Sequence, residues 1–96
     1  MSKQDKYTRS ARGQECQVRI PGICNFDTDT TVFAHLNGAG WAMKHSSIHG
    51  AYCCSDCHLW LDGVAPGYTR DEQKLYHLEG VIRTQILMIK NGILVL

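Results

Sequence analysis

The hexapeptide CCSDCH, residues 53–58, holds the densest set of potential metal-binding groups in the chain. Cys54 and Cys57 have the C-x2-C spacing, which lets two thiolates of one turn bind one tetrahedral ion at about 2.3 Å. A closed tetrahedral site needs two more ligands, and Cys16 and Cys24 lie on either side of a Pro-Gly dipeptide that predicts a turn. The sequence therefore predicts a structural Zn²⁺ bound by these four cysteines.

Other uses of the cysteines fit the sequence less well. Five cysteines are an odd number, which does not suit complete disulfide pairing. The C-x-x-C-H string also matches haem attachment, but that requires export, and the N-terminus lacks the apolar segment of a signal peptide. The alternative for Cys16 and Cys24 is a place in the core as small apolar residues. Cys53 is predicted to be a core residue, because in an extended segment its side chain points away from that of Cys54.

His58 directly follows the C-x2-C pair and is predicted to face away from the zinc site. Successive side chains on a helix are rotated by about 100°, so His58 is free for another role when Cys57 faces the ion. Asp62 lies four residues further on, on the same side of the helix. A histidine and a carboxylate one turn apart predict half of a second site, for Mg²⁺ or another divalent cation.

Two more histidines lie near the end of a predicted strand. His35 ends the apolar segment TVFAHL, and a loop with two glycines follows it. Polar groups reach solvent at such strand ends, which makes His35 a candidate for acid–base chemistry near neutral pH. His49 lies shortly before the cysteines. His45 and His77 have no motif around them, so we expect structural or surface roles for both.

The charges are unevenly distributed, although the 96-residue chain has a net charge of only +1. The first twenty residues hold five cations: Lys3, Lys6, Arg9, Arg12 and Arg19. Such a cluster predicts contacts with phosphates, and Arg9, Arg12 and Arg19 are the candidates for DNA binding. The alternative is a solvated N-terminal arm without a partner. No apolar run is long enough to span a membrane, and we expect a cytoplasmic protein.

The elements that must position these groups follow the order strand, strand, short helix, long helix, which predicts a small α+β domain. The predicted strands cover 31–36 and 47–54, and the predicted helices cover 55–63 and about 70–90. Residues 1–13 are predicted to be a flexible basic arm, and residues 14–96 a single domain. Its first segment, 14–24, is predicted to be a short hairpin that the zinc fixes in place.

The long helix has clear start and stop signals. Thr69 and Glu72 form a capping box, and Asn91–Gly92 supplies the stop. Large apolar residues recur at spacings of three and four, as expected for one face of a helix: Leu75, Leu78, Val81, Ile82, Ile86 and Ile89. Apolar residues also fall outside a narrow seam: Tyr76, Leu78, Ile82, Leu87 and Met88. A chain this short has a limited core to cover them and the apolar ILVL at its end, which predicts a homodimer.

These segments together resemble the HNH, or His-Me finger, nucleases. VFAHL (32–36) is similar to the strand that carries the first histidine of that motif, and HGAYCCSDCHLWLD (49–62) to its second strand and helix. A closer resemblance, from about Ala11 to Ile93, is to the YbcO family of small prophage proteins described as nucleases. It is carried by ARGQECQVRIPGIC, AHL, CSDCH and the helix near LEGVIRTQ. The resemblance implies an HNH-like ββα-metal domain with a structural zinc.

The resemblance also implies roles for the histidines. His35 matches the general base that acts on the attacking water, and His58 matches a ligand of the catalytic metal. Two positions depart from the family pattern. Ala34 stands where an acidic or histidine ligand is frequent, and the usual asparagine is missing from a region that offers Ser47 and His49. His49 is therefore a catalytic candidate, and His49 or Asp62 would complete the metal shell.

The sequence thus predicts a metal-dependent endonuclease that hydrolyses phosphodiester bonds in DNA, of phage or prophage origin. Histidine provides a base near neutral pH, and a divalent cation stabilises the charge that develops on the phosphate. The alternative is a non-catalytic zinc-binding module that binds DNA or a protein and carries a decayed HNH site. A third possibility is a structural assembly protein that uses the long helix as its interface.

Overall fold

A computed structural model describes residues 6–35, 48–63 and 66–95 and confirms an α+β fold with a two-stranded sheet. The elements in chain order are α1 (Lys6–Ser10), a 3-10 turn (Thr28–Thr30), β1 (Val32–His35), β2 (Gly50–Cys53), α2 (Ser55–Asp62) and α3 (Arg70–Lys90). None of the described helices is long and apolar enough to cross a membrane. His45 and Ser47 lie outside the described residues.

The antiparallel pair β1–β2 separates two small cores. Opposite residues share a face of the sheet, and Ala34 pairs with Ala51 while Phe33 pairs with Tyr52. The alanine face packs against Val18, Ile20 and Val81, in the same core as the buried cysteines. The Phe33 and Tyr52 face packs against Ala11 and Met88. Side chains on β2 are buried on both faces, because the sheet is covered on each side.

Small side chains on α3 allow the helix to approach β2 closely. A Cβ atom added to Gly80 would lie 2.8 Å from Val18 Cγ2 and 3.2 Å from Ala51 Cβ, so no larger residue fits without movement. One turn further on, Tyr52 N donates a hydrogen bond to Thr84 Oγ1 at 2.9 Å. That bond satisfies a backbone group on the outer edge of β2, which would otherwise be buried without a partner.

The face of α3 that packs on the sheet is not the face with the large aliphatic residues. Its buried residues are Gln73, Gly80, Val81, Thr84 and Met88. Of the six aliphatic positions noted in the sequence, only Val81 is buried. The other five are between 40% and 56% exposed: Leu75, Leu78, Ile82, Ile86 and Ile89.

The predicted helices and strands agree closely with the structure, but the N-terminal hairpin is wrong. The Thr69–Glu72 capping box forms as predicted, with Thr69 Oγ1 accepting from Glu72 N at 3.1 Å and Glu72 Oε1 from Thr69 N at 2.8 Å. Residues 14–24 contain turns and irregular backbone instead of paired strands. The turn at Pro21–Gly22 does form, since Ile23 N and Cys24 N both donate to Ile20 O at 3.0 Å.

The N-terminal arm is partly folded. Lys6–Ser10 form α1, and Ala11 is only 1% exposed in the core beneath Phe33. Ser10 Oγ lies 2.8 Å from Tyr52 Oη, which ties α1 to the second strand. The division of the chain at residue 13 and the flexibility of the arm stay predictions, and residues 1–5 lie outside the described residues.

Candidate functional site

The cysteine cluster, formed by Cys16, Cys24, Cys54 and Cys57, is the first candidate site. The four sulfur atoms all lie within 4.8 Å of one another. Cys24 Sγ and Cys54 Sγ are 3.8 Å apart, which equals the edge of about 3.8 Å expected for a tetrahedron with metal–sulfur bonds of about 2.3 Å. All are buried except Cys24, which is partly exposed. The four cysteines are therefore close enough to bind a metal ion such as zinc.

Local backbone structure places the sulfur atoms. Cys54 is the N-cap of α2, and its sulfur accepts a hydrogen bond from Cys57 N at 3.4 Å. Arg19 adopts a positive φ of 51°, and its backbone N–H donates to Cys16 Sγ at 3.5 Å. In each cysteine pair, the sulfur of the first cysteine thus accepts a hydrogen bond from the backbone N–H three residues later. Such donors stabilise a thiolate, which is the form that binds metal.

The thiols interact strongly with one another and with their buried surroundings. The pKa of Cys16 is lowered, because Cys53 and Cys57 donate hydrogen bonds to its sulfur. The same hydrogen bond, with burial, raises the pKa of Cys57. Burial raises the pKa of Cys24 to about 11. Since metal-bound cysteines are thiolates, binding of an ion here must release protons, and its affinity must fall as the pH falls.

Cys53 is buried in the core next to the cluster, as predicted. It points from the same strand face as Ala51 and packs among apolar residues. Its hydrogen bond to Cys16 and its burial raise the pKa of its thiol, so it is a protonated neighbour of the cluster.

The second candidate site is a cavity of about 280 Å³, here called the histidine pocket. It lies where the end of β1, the end of α2 and the first two turns of α3 meet. The polar residues that line it are His35, Asp62, Arg70, Gln73, Lys74 and His77. His35 and Asp62 were predicted to be functional residues, and the structure brings them to one cavity.

His35 is exposed at the end of β1, as the sequence predicts. Its ring lies edge-on to Phe33, with 5.1 Å between the ring centroids. Its partner on β2 is Gly50, and a Cβ atom on Gly50 would collide with the Phe33 ring. The glycine therefore makes room for Phe33, against which His35 is positioned. His49 is exposed next to Gly50, at the same end of the sheet, but does not line the pocket.

His58 and Asp62 form the predicted pair on one side of α2. His58 Nε2 and Asp62 Oδ2 are 3.5 Å apart, and the side chains are 44% and 68% exposed. Asp62 lines the pocket, and His58 lies close enough to His77 to act on its charge. Both groups are open to solvent, so an ion could reach them.

His77 was expected to be structural, but it lies in the pocket beside His35. Its Nε2 is 2.9 Å from the carbonyl oxygen of Ala34, the residue before His35. A carbonyl can only accept, so Nε2 carries the hydrogen and Nδ1 has a free lone pair in the neutral ring. Burial lowers the pKa of His77, and the nearby His58 and His35 contribute to this shift. His77 is thus a neutral imidazole held against the end of β1.

Gln73 joins α3 to the end of α2. It is buried, and its Nε2 donates to the carbonyl oxygens of Trp60 at 2.7 Å and Gly63 at 2.9 Å. These bonds satisfy carbonyl groups that a helix end leaves without partners. Trp60 also packs edge-on against Tyr68 and Tyr76, with centroids 5.1 and 5.7 Å away. The Gln73 bonds and the packing of Trp60 therefore both fix the position of Asp62 relative to α3.

The sequence contained a signal for this part of the site. Arg70, Gln73, Lys74 and His77 recur at spacings of three, one and three, which places polar residues on one side of the first two turns of α3. The large aliphatic residues lie on another side of the helix.

The two candidate sites differ in how closely their donor atoms meet. Among residues 6–35, 48–63 and 66–95, the cysteine cluster is the one group of three or more potential ligands whose donor atoms lie within 4.8 Å of one another. His35, Asp62 and His77 line a wider space, and His58 lies beside it, paired with Asp62. An ion held by His58 and Asp62 would need water or substrate oxygens to complete its coordination.

Fold and site together define a small α+β protein with a four-cysteine cluster able to bind a metal ion and a pocket lined by histidines. The chain belongs to the family described as "Putative nuclease YbcO", which matches residues 5–93. This confirms the resemblance to the YbcO family noted in the sequence. The narrower assignment to HNH nucleases stays a prediction.

Two relatives and one solved structure illustrate the similarity. "Putative nuclease YbcO" of Escherichia coli (strain K12) is 40% identical over 93 residues, which cover 90% of this chain and 93% of that protein. "Putative nuclease ybcO" of Enterobacteria phage 82 has the same identity and coverage. The structure of a protein described as a putative bacteriophage protein from Escherichia coli K-12 superposes with a TM-score of 0.74 at 38% identity, covering 88% of this chain and 98% of that one.

Proposed function

We propose that this protein is a metal-dependent endonuclease of the HNH type that hydrolyses phosphodiester bonds in DNA. The observation that carries the proposal is the pocket at the end of the β1–β2–α2 unit, where exposed His35 faces the same cavity as Asp62. The nuclease names of relatives that are 40% identical support it. A phage or prophage origin agrees with the relative from phage 82.

In this proposal His35 is the general base. Its imidazole accepts a proton from a water molecule while the water oxygen attacks the phosphorus atom, and the bond from phosphorus to the leaving oxygen breaks. His58 and Asp62 would hold Mg²⁺ or another divalent cation, which supplies stabilisation of the negative charge on the phosphate oxygens. His49, exposed at the same end of the sheet, remains a candidate to orient the water.

The cysteine cluster would have a structural role. Four sulfur ligands suit Zn²⁺, and a site with four protein ligands leaves no position for substrate. The ion would hold the irregular segment around Cys16 and Cys24 against the start of α2. Reduced thiols persist in the cytoplasm, which is the compartment we propose for the protein.

The basic arm is a candidate DNA contact. Arg12 lines a separate cavity at the other end of β1, together with Asp29 and Val32. The Arg19 side chain folds back on the cysteine segment, with Nε donating to Cys16 O at 3.0 Å. We propose that Arg9 and Arg12 contact phosphates outside the pocket, whereas Arg19 contributes mainly to the loop that carries Cys16.

The test is cleavage of supercoiled plasmid with Mg²⁺, Mn²⁺ or Zn²⁺, repeated with EDTA. We expect nicking that needs a divalent cation and that falls about 10²–10⁴-fold in His35→Ala, because proton transfer by a positioned base contributes that much. His45→Ala is the matched control and should cut at the wild-type rate. Equal rates for His35→Ala and wild type would reject this site.

The second candidate function is a DNA-binding module without catalysis. It is favoured by Ala34, which replaces a frequent ligand, and by the donor atoms of the pocket, which do not form a compact group of ligands among the described residues. In the same experiment this alternative gives a shift in gel mobility without nicking under every metal condition.

We also propose that α3 pairs with α3 of a second copy in antiparallel orientation. Pairing centred on Ile82 would place Leu75 opposite Ile89 and Leu78 opposite Ile86. Each half-exposed side chain would contribute about 1 kcal/mol on burial. Light scattering should give a dimer mass for wild type and a monomer mass for Ile82→Glu, and a monomeric wild type at high concentration contradicts this proposal.

A further inference from the structure

We propose that the first two turns of α3 form a phosphate-binding surface of the histidine pocket, in which Arg70 and Lys74 contact the DNA backbone next to the bond that is cleaved. This inference rests on the proposed function and assigns the substrate contact to a helix outside the β1–β2–α2 unit. The occupant is a phosphodiester of a DNA strand, recognised by its charge.

The charges around the pocket are the first reason. Arg70 and Lys74 are exposed and line the cavity together with His35 and His77. Of the described residues that line the cavity, only Asp62 has a carboxylate, and it pairs with His58. Within residues 6–35, 48–63 and 66–95, neither Arg70 nor Lys74 forms an ion pair. The pocket therefore presents two cations without carboxylate partners, as a site for an anion requires.

The position of Arg70 is the second reason. It is the first residue of α3, and a cation there opposes the helix dipole, which favours negative groups at a helix start. Among the described residues, its polar contact is a long bond from Nη1 to Gln73 Oε1 at 3.4 Å. The positive charge of Arg70 therefore contributes little to the stability of the helix. A guanidinium is, however, well suited to binding a phosphate.

The rigidity of the surface is the third reason. His77 holds α3 to the strand end through Ala34 O, and Gln73 holds it to the end of α2 through two bonds. Arg70 and Lys74 are therefore carried on a helix that is fixed at two points around the pocket. A phosphate that contacts both would lie between α3 and the candidate base His35.

The experiment measures the affinity for a labelled DNA duplex at several salt concentrations, without divalent cation. Fluorescence anisotropy of the label reports binding. The variants are Lys74→Ala, Arg70→Ala/Lys74→Ala, and the control Lys90→Ala, which removes an exposed lysine at the other end of the same helix. We expect the slope of log affinity against log salt to decrease by about 1 for Lys74→Ala and about 2 for the double variant. We expect no change in slope for Lys90→Ala.

Parallel cleavage assays separate this inference from the proposed function. If the variants have a smaller salt slope but the wild type never cuts DNA, the phosphate-binding surface is supported and the nuclease function is rejected. Unchanged slopes in a protein that cuts DNA overturn the surface and leave the nuclease. Equal effects of Lys74→Ala and Lys90→Ala mean that charge alone matters, which also overturns it, as does a wild type that does not bind DNA. Circular dichroism and metal content of each variant confirm that these exposed changes leave the fold intact.

Discussion

The cysteine cluster and the histidine pocket both depend on α2, yet they are built in different ways. The cluster joins the start of α2 to the segment around Cys16 and Cys24, and its four sulfur atoms already lie within 4.8 Å of one another. The pocket lies at the other end of α2, between β1 and α3. Its donor atoms surround a cavity of about 280 Å³.

This difference corresponds to two kinds of site. A structural metal site uses all coordination positions for protein ligands, so its donors must converge in the folded chain. A catalytic metal site keeps positions open for water and substrate. A compact set of thiols and an open set of imidazole and carboxylate groups are what such a division of roles requires. Substitutions at each site should therefore have separate effects on metal content and on activity.

Loss of one cluster ligand should have the largest effect. Cys57→Ser is expected to lose the bound metal and to unfold the segment before β1, because the free energy of metal binding is part of the free energy of folding in a domain of this size. Cys53→Ala is the comparison variant, because it removes a buried thiol that bonds to Cys16 but is not one of the four cluster cysteines, so it should keep the metal. Elemental analysis and thermal unfolding measure both. A Cys57→Ser protein with full metal content and unchanged melting would contradict the role of the cluster.

Changes in the pocket should abolish activity without loss of the cluster metal. His58→Ala is expected to remove most cleavage, and Asp62→Ala to have a similar but smaller effect, because both would hold the catalytic cation. Each variant should retain the cluster metal and the wild-type melting temperature. Plasmid nicking and elemental analysis on the same preparations measure this. If His58→Ala releases the cluster metal as well, the two sites are not separate.

The sequence predicts the cluster better than the pocket for a physical reason. Cys54 and Cys57 are close in the chain, and the Pro-Gly turn brings Cys24 towards Cys16. These local signals were sufficient even though the predicted hairpin is absent. His77 reaches the pocket from a residue 42 positions after His35, and no local pattern reports a contact over that distance.

The same reasoning explains why the aliphatic face of α3 is not the face that packs on β2. Helix start and stop follow from local capping, so its ends were predicted correctly. The face that packs on β2 was decided by close approach, which needs Gly80 and Thr84. Large aliphatic residues indicate apolar surface, but not which partner covers it. The five exposed aliphatic residues therefore support the proposed pairing with a second copy and do not belong to the core.

Gln73 tests how far the pocket depends on the attachment of α3 to the end of α2. Gln73→Leu removes the bonds to Trp60 O and Gly63 O, two partly buried carbonyl groups at the end of α2, at a cost of about 0.5–1.5 kcal/mol each. Gln85→Leu is the control, because Gln85 also bonds a backbone carbonyl, that of Ile48, away from the pocket. We expect both variants to melt earlier, but only Gln73→Leu to lower the cleavage rate at saturating metal. Equal cleavage rates for Gln73→Leu and Gln85→Leu would show that the position of α2 does not depend on the hydrogen bonds from Gln73.

The smallest effect should come from the titration of His77. Burial lowers its pKa in the folded protein, while the unfolded chain keeps the ordinary value of about 6.5. Between these two values the unfolded chain binds the additional proton, so the stabilisation is complete above pH 6.5 and is lost as the pH falls below it. His77→Gln can still donate to Ala34 O but cannot titrate. We therefore expect the melting temperature of His77→Gln to rise relative to that of wild type as the pH is lowered from 7.5 to 5.5. Protonation of the cysteine cluster affects both proteins alike and cancels in the difference. If the melting temperatures of the two proteins change in parallel over this range, His77 is not held as a neutral imidazole. Its contact with Ala34 O would then be solvated instead of buried.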